Sequence, residues 1–163
     1  MSRAFFYTLQ GGDKLIDIIR NYPKVVQEAI SAEFLDTAEA IRSKAVKRVQ
    51  DRIPGEFDHM SESRKEKAET DLRYLVQGIT VDKKEKLRIE IQSGFALSAY
   101  FEFGTGRYVF EGESWVDGPL REYARTFYVN GKGITKPHPF LFNSFYEERV
   151  ELIKRLKQIL GAK

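Results

Sequence analysis

Apolar residues recur at spacings of three and four along residues 23–52, which predicts one long amphipathic helix. Charged residues occupy the opposite face, and Pro54-Gly55 ends the pattern. A shorter helix is predicted just before it, because Asp13 can cap a turn that starts at Lys14 and Pro23 interrupts the periodicity. We assign residues 12–53 to these N-terminal helices. The apolar stripe of the long helix consists of Val26, Ile30, Phe34, Ala38, Ile41, Ala45 and Val49.

The period changes to two further along the chain, and residues 71–135 are predicted to form an antiparallel sheet. Leu87, Ile89 and Ile91 alternate with polar residues, which is typical of a strand with one buried face. The preceding apolar residues, from Leu72 to Val81, are interpreted as its hairpin partner, with a turn at Asp82–Glu85. Gly94 ends the second strand.

Two other segments of this region are assigned from their turn chemistry and charge. Asn130-Gly131 favours a tight hairpin turn between strands at Arg125–Val129 and Ile134-Thr135. Residues 107–124 are expected to be a long insertion. The charged segment 55–69, between the helices and the sheet, is predicted to be a loop or a short surface helix.

A second amphipathic helix closes the chain within residues 137–161. Phe145, Leu152 and Leu156 lie on one stripe, and Gly161 is a suitable C-terminal cap. The predicted fold class is therefore α+β, with the long N-terminal helix and the C-terminal helix packed on a small antiparallel β-sheet. Residues 1–163 are expected to form a single domain.

Composition excludes several broad classes of protein. The sequence has no cysteine, so disulfides and thiolate metal sites are excluded. No apolar run approaches the roughly 20 residues of a membrane-spanning helix, and no secretory signal is recognisable at the N-terminus. The net charge of +3 comes from intermixed signs, which disfavours a dedicated nucleic-acid reader. A soluble protein made and used inside a cell is expected.

Motifs for catalysis are weak. His59 and His138 are far apart, and no pair of histidines has the spacing of metal ligands. Gly104-Thr105-Gly106 lacks the lysine and the following helix of a phosphate loop. Asp82 and Glu90, with a nearby lysine, could hold magnesium in a nuclease, but a turn former and a solvated strand charge are the preferred interpretations. We therefore predict no enzyme activity, no cofactor and no metal.

The segment Tyr100–Gly106 is the most distinctive part of the sequence. Its one charged residue, Glu102, is set among aromatic residues and needs hydrogen-bond donors if it is buried. The amides around Gly104–Gly106, or Arg107, are candidate donors. The glycines themselves favour a tight reversal of the chain.

Two motifs in this order resemble the signature of a tail-component family of tailed bacteriophages, named after gene product ten of a lambda-like phage. In that family a Tyr-Ala-x-x-Glu-x-Gly-Thr-type motif follows a strand, and a Pro-x-Pro-Phe-type motif opens the C-terminal helix. The residues that match are Tyr100, Glu102, Gly104, Thr105 and Gly106 in the first motif, and Pro137, Pro139, Phe140 and Leu141 in the second.

The resemblance implies a structural virion protein, a neck or tail-completion component that joins head and tail. It implies assembly as a ring of hexamer-like size, contacts with other phage neck and tail proteins, and at most non-specific contact with DNA in the channel. The expected location is the virion, assembled in the bacterial cytoplasm without a membrane. Alternatives are a small metal-dependent nuclease and a host-interaction module.

Three aromatic residues of the insertion are candidate interface anchors, because aromatic side chains often are. Burial against the domain's own sheet is an equally good interpretation. These residues are Phe110, Trp115 and Tyr123.

Overall fold

The computed structural model describes residues 5–10, 13–52, 61–110, 124–126, 133 and 135–161. It confirms the predicted α+β class, with a long N-terminal helix and a C-terminal helix on a small antiparallel sheet. The elements are β1 (Phe5–Gln10), α1 (Asp13–Arg20), α2 (Lys24–Arg52), α3 (Glu62–Gly78), β2 (Ile79–Glu85), β3 (Arg88–Ser93), α4 (Ser98–Phe103), a 3-10 helix (Gly106–Phe110) and α5 (Phe140–Ile159).

The long helix α2 has the predicted bounds and the predicted buried face. It starts directly after Pro23, whose carbonyl oxygen accepts hydrogen bonds from the amides of Val26 and Gln27. Ile30, Ala38 and Ile41 on its stripe are fully buried, and Val26 at the N-terminal end is partly buried. The stripe therefore forms the centre of the core, as its spacing predicts.

The sheet has three strands in the order β1-β3-β2, and both pairings are antiparallel. Ile91 of β3 lies opposite Tyr7 of β1 on one side and Val81 of β2 on the other. Ile89 and Ile91 are buried, and α2 packs against β2 and β3. The apolar residues of the predicted alternation thus face α2.

The predicted hairpin between β2 and β3 exists, but its turn was placed wrongly. Asp82 and Glu85 belong to strand β2, and the turn is formed by Lys86 and Leu87. The Ser31 hydroxyl of α2 donates a hydrogen bond of 2.6 Å to the Lys86 carbonyl oxygen, and Leu87 is buried. Tertiary contacts therefore determine where the turn lies. The charged residues from which a turn was predicted belong instead to β2, an edge strand of the sheet.

The helix α3 corrects the expectation of a sheet beginning at residue 71. Residues 62–78 form one helix, and β2 starts immediately after it at Ile79. Leu72 and Leu75 are buried on the helix. Their spacing, continued by Ile79, fits a helical period as well as a strand run, and short apolar runs do not distinguish the two.

Strand β1 was not predicted. Its sequence, Phe5-Phe-Tyr-Thr-Leu-Gln10, is rich in residues that favour strands. That composition was the available signal, although the register against β3 is set by a partner far along the chain.

Helix α5 packs along α2 and is tied to it by polar contacts at two levels. Arg155 donates a hydrogen bond of 2.6 Å to Glu33 and one of 2.9 Å to the buried Thr37 hydroxyl. Lys44 forms an ion pair of 2.7 Å with Glu148. These contacts fix the position of α5 along α2 as well as its buried face.

The region between the 3-10 helix and α5 is described only in part. Ala124 and Arg125 are helical and Thr126 lies in a turn, so Arg125 does not begin a strand as predicted. The turn Asn130-Gly131 and Ile134 lie outside the described residues, as do His59 and most of the insertion. Among the described helices, none is both long and apolar enough to cross a membrane.

Candidate functional site

Helix α4 carries Glu102 into the protein interior. The helix follows β3 after a short turn and buries Ala99, Glu102 and Phe103 on one side. Tyr100, on the other side, is 38% exposed, whereas Glu102 is 2% exposed. An acidic side chain buried to this extent requires hydrogen-bond donors close to both of its oxygens.

The donors come from the first turn of α5. The backbone amide of Leu141 donates to Oε2 of Glu102 at 3.0 Å, and that of Phe142 donates to Oε1 at 2.8 Å. Pro139 occupies the N-cap position of this helix and makes no side-chain capping hydrogen bond. Glu102 therefore supplies from α4 the acceptors that a helix N-terminus needs.

This arrangement corrects the expected partners of Glu102, which were the amides around Gly104–Gly106 or Arg107. The signal in the sequence for the observed pairing was that two groups need hydrogen-bond partners, the Glu102 carboxyl group and the N-terminal amides of α5. Glu102 is an acidic residue set among aromatic residues and needs donors, and α5 starts after a proline instead of a capping Ser, Thr, Asp or Asn. The sequence shows that Glu102 needs donors and that the first amides of α5 need acceptors, but only the tertiary structure shows that the two groups pair with each other.

The segment Gly104-Thr105-Gly106 holds the chain that leads into α5. The Thr105 amide donates to the Thr135 carbonyl oxygen at 2.8 Å, and the Thr135 amide donates to the Thr105 hydroxyl at 3.1 Å. Gly104 and Gly106 have φ angles of 73° and 57°, which favour glycine. A Cβ atom at Gly106 would lie 2.6 Å from the Gly133 carbonyl oxygen. The glycines thus allow two backbone segments to touch.

Further contacts complete the join between the two motifs. The His138 amide donates to the Phe101 carbonyl oxygen at 2.6 Å. The rings of Phe103 and Phe142 lie 5.5 Å apart, and Phe140 at the start of α5 is buried. We call residues 101–106 together with residues 135–142, which include Pro137 and Pro139, the motif junction. It links segments about 40 residues apart into one hydrogen-bonded unit.

The electrostatics of the motif junction are dominated by burial. Burial raises the pKa of Glu102 to about 8, although the amides of Leu141, Phe142 and Phe140 and the charge of Arg48 act in the opposite direction. The ordinary value is 4.5. The folded chain therefore binds a proton at Glu102 over a pH range in which the unfolded chain has released it.

This difference predicts a pH-dependent stability that Glu102→Gln removes. Because the pKa is higher in the folded chain, the contribution of Glu102 is fully present below pH 4.5 and is lost as the pH rises through about 8. Wild-type protein should lose up to about 1.4 kcal/mol of unfolding free energy per pH unit in this window, relative to Glu102→Gln. Urea unfolding of both proteins at several pH values measures the difference. Parallel curves for the two proteins between pH 4.5 and 8 would contradict the prediction.

The carboxylates considered for a nuclease lie elsewhere, on the sheet face opposite Ile89 and Ile91. Asp82 and Glu90 are directly opposite one another across β2 and β3. Lys84 contacts Asp82, and Arg88 donates to Glu90 at 2.9 Å. Within the described part of the chain, no group of three or more His, Cys, Asp and Glu side chains is placed to hold a metal ion. Each carboxylate is instead paired with a neighbouring cation.

An open surface pocket of about 280 Å³ lies between the C-terminal half of α2 and α5. Its lining is charged, and the two cations Lys44 and Arg48 both contact Glu147 across the helix pair. Because these ion pairs join the two helices, we interpret the pocket as part of the α2–α5 contact. The residues that line it are Lys44, Lys47, Arg48, Asp51 and Glu147.

The three predicted interface anchors belong to the insertion at residues 107–124 and to no part of the motif junction. The backbone of Phe110 ends the 3-10 helix, but its side chain, Trp115 and Tyr123 all lie outside the described residues.

Comparison of the chain with protein-family models, with curated proteins and with solved structures finds no match in any of the three.

Proposed function

We propose that this chain is a structural virion protein of a tailed bacteriophage or prophage, a neck or tail-completion component that joins head and tail. It acts through contacts between subunits and with other neck and tail proteins. The observation that carries the proposal is the motif junction. The two sequence motifs that resemble the tail-component family meet in one place, where Glu102 binds the first amides of α5.

The chemistry of the motif junction favours an architectural use of the motif. Both carboxyl oxygens of Glu102 accept backbone hydrogen bonds, and the side chain is buried. At Gly104 and Gly106 the backbone segments approach so closely that a Cβ atom would collide with the neighbouring chain. A motif with these contacts serves to position α5, and an assembly protein needs helices that are held rigidly for neighbouring subunits.

Deletion of the gene tests the proposal in a phage that carries it. We expect separate heads and tails in electron micrographs, and infectious titre at background. Complementation with the wild-type gene should restore joined particles, and so should Asp82→Asn/Glu90→Gln, which alters the sheet face opposite Ile89 and Ile91 and leaves the motif junction intact. Recovery of normally joined particles from the deletion strain would refute the proposed role. Connector genes upstream and tail-tube genes downstream would support it.

The alternative of a metal-dependent nuclease is favoured by one observation, the register that places Asp82 opposite Glu90. The ion pairs of these residues with Lys84 and Arg88 weigh against it. Purified protein incubated with DNA or RNA and magnesium should give no cleavage above the buffer control. Cleavage that Asp82→Asn/Glu90→Gln abolishes, and that Glu102→Gln retains, would establish the nuclease instead.

A further inference from the structure

Helix α5 has a second apolar stripe, which is exposed on the side away from the core. Tyr146, Val150 and Ile153 are spaced by four and three residues and are 36%, 54% and 44% exposed. The opposite side of the helix, which includes Leu152, is buried against the core and α2. A stripe at this spacing is the face that an amphipathic helix presents to a packing partner.

Basic side chains surround this stripe. Arg149 lies beside it, between Tyr146 and Val150, and Lys157 follows it one turn after Ile153. Neither forms an ion pair with a side chain in the described part of the chain. Lys154 lies on its other side and is paired with Glu151. The acidic residues Glu147 and Glu148 point toward α2, where Lys44 binds both. We call Tyr146, Arg149, Val150, Ile153 and Lys157 the α5 surface.

The outer face of α2 has the opposite charge. Val25 is 70% exposed, and Glu28, Ala32 and Asp36 follow it at spacings of three and four along the same face. Neither Glu28 nor Asp36 forms an ion pair with any side chain that the structure describes. Lys24 is the cation nearest the N-terminal end of this face. We call Val25, Glu28, Ala32 and Asp36 the α2 surface.

The charges on the two surfaces have matching spacing. Arg149 and Lys157 are eight residues apart, as are Glu28 and Asp36. At 1.5 Å per residue each pair spans about 12 Å along its helix. A helix carrying the α2 surface and lying along α5 can therefore bring both acids to both bases. Small Ala32, between the two acids, leaves room for a large apolar side chain of the α5 surface.

The α2–α5 contact within one subunit uses other faces of both helices, through the polar contacts of Arg155 and Lys44, so the two surfaces do not face each other across it. We propose that the α5 surface docks the α2 surface of a second copy of this chain, in a head-to-tail contact. The inference rests on the proposed function and deepens it, because a repeated head-to-tail contact closes into a ring when the rotation between subunits permits.

Sedimentation velocity of charge-reversal variants tests the contact. Wild-type protein should form species larger than the monomer as its concentration rises from about 5 to 500 µM, as mass action requires. Glu28→Lys/Asp36→Lys and Arg149→Glu/Lys157→Glu should each weaken self-association about tenfold or more, because like charges then face each other. An equimolar mixture of the two variants should associate again, because each supplies a surface complementary to the other.

A second variant pair separates the apolar contribution from a general surface effect. Val150→Asp/Ile153→Asp should abolish self-association with an unchanged circular dichroism spectrum. Tyr74→Asp, which alters an exposed aromatic residue of α3, should leave it unchanged. A wild-type protein that stays monomeric throughout, or charge variants that associate like wild type, would overturn the proposal. Binding to anionic vesicles without self-association would also overturn it, in favour of a membrane surface.

The same variants distinguish this inference from the proposed function. If Val150→Asp/Ile153→Asp complements the gene deletion fully, the contact is wrong and the neck role stands. If the deletion strain still joins heads and tails, the neck role is wrong, whatever the sedimentation data show.

Discussion

Replacement of Glu102 by alanine is expected to lower the free energy of unfolding by about 3–5 kcal/mol. The substitution leaves the amides of Leu141 and Phe142 without acceptors in a buried site and opens a cavity between α4 and α5. Each unsatisfied buried donor costs about 1–3 kcal/mol, and the lost side-chain volume adds to this. Because α5 begins at Phe140, the loss should be concentrated in the attachment of that helix.

Urea unfolding measures the loss, and hydrogen exchange locates it. The Leu141 and Phe142 amides should exchange faster in Glu102→Ala than in wild type. Glu151→Ala is the matched control, since it removes an exposed carboxylate of α5 whose ion pair, among the described residues, is with Lys154. That control should change stability by about 0.5 kcal/mol or less. Equal losses in the two variants would refute the capping role of Glu102.

Gly106→Ala should destabilise the chain by about 3 kcal/mol or more, for two separate reasons. Its φ of 57° is unfavourable for any residue with a Cβ atom. The new methyl group would also collide with the Gly133 backbone, lying 2.6 Å from its carbonyl oxygen. Backbone atoms held by the Thr105–Thr135 hydrogen bonds cannot withdraw without breaking the motif junction.

Gly161→Ala separates the two reasons. Gly161 has a similar φ of 64°, but no atom lies within 4 Å of the position its Cβ would take. Its substitution should therefore show the conformational penalty alone, about 1 kcal/mol. Thermal and urea unfolding of both variants provide the comparison. If Gly106→Ala loses no more stability than Gly161→Ala, the close approach to Gly133 does not constrain the fold.

The sequence predicted the helices and the strand whose patterns are long and regular. The stripe of α2 runs through seven apolar positions, so no other period fits it. The alternation at Ile89 and Ile91 likewise admits only a strand. Where a segment is short, as at Leu72–Ile79, the same residues fit helix and strand, and only contact with the core decides. This is why α3 was mistaken for part of the sheet.

The motif junction could be predicted only in part. The glycines indicated a tight approach of the chain, and the burial of Glu102 among aromatic residues suggested a need for donors. The donors themselves, on Leu141 and Phe142, belong to a helix that starts about 40 residues later. Local pattern contains no information on such pairings. For the same reason the register of β1 against β3 could not be predicted from the sequence.

The position of β1 at the edge of the sheet, beside β3, has a consequence for the order of folding. The β2–β3 hairpin closes through a two-residue turn, whereas β1 can pair only with a strand about 80 residues further along. At synthesis rates of about 5–20 residues per second, β1 leaves the ribosome several seconds before its partner exists. The strand that is made first is therefore expected to enter the sheet after the hairpin. Folding rates of the purified chain should accordingly respond more to substitutions in β3 than to those in β1.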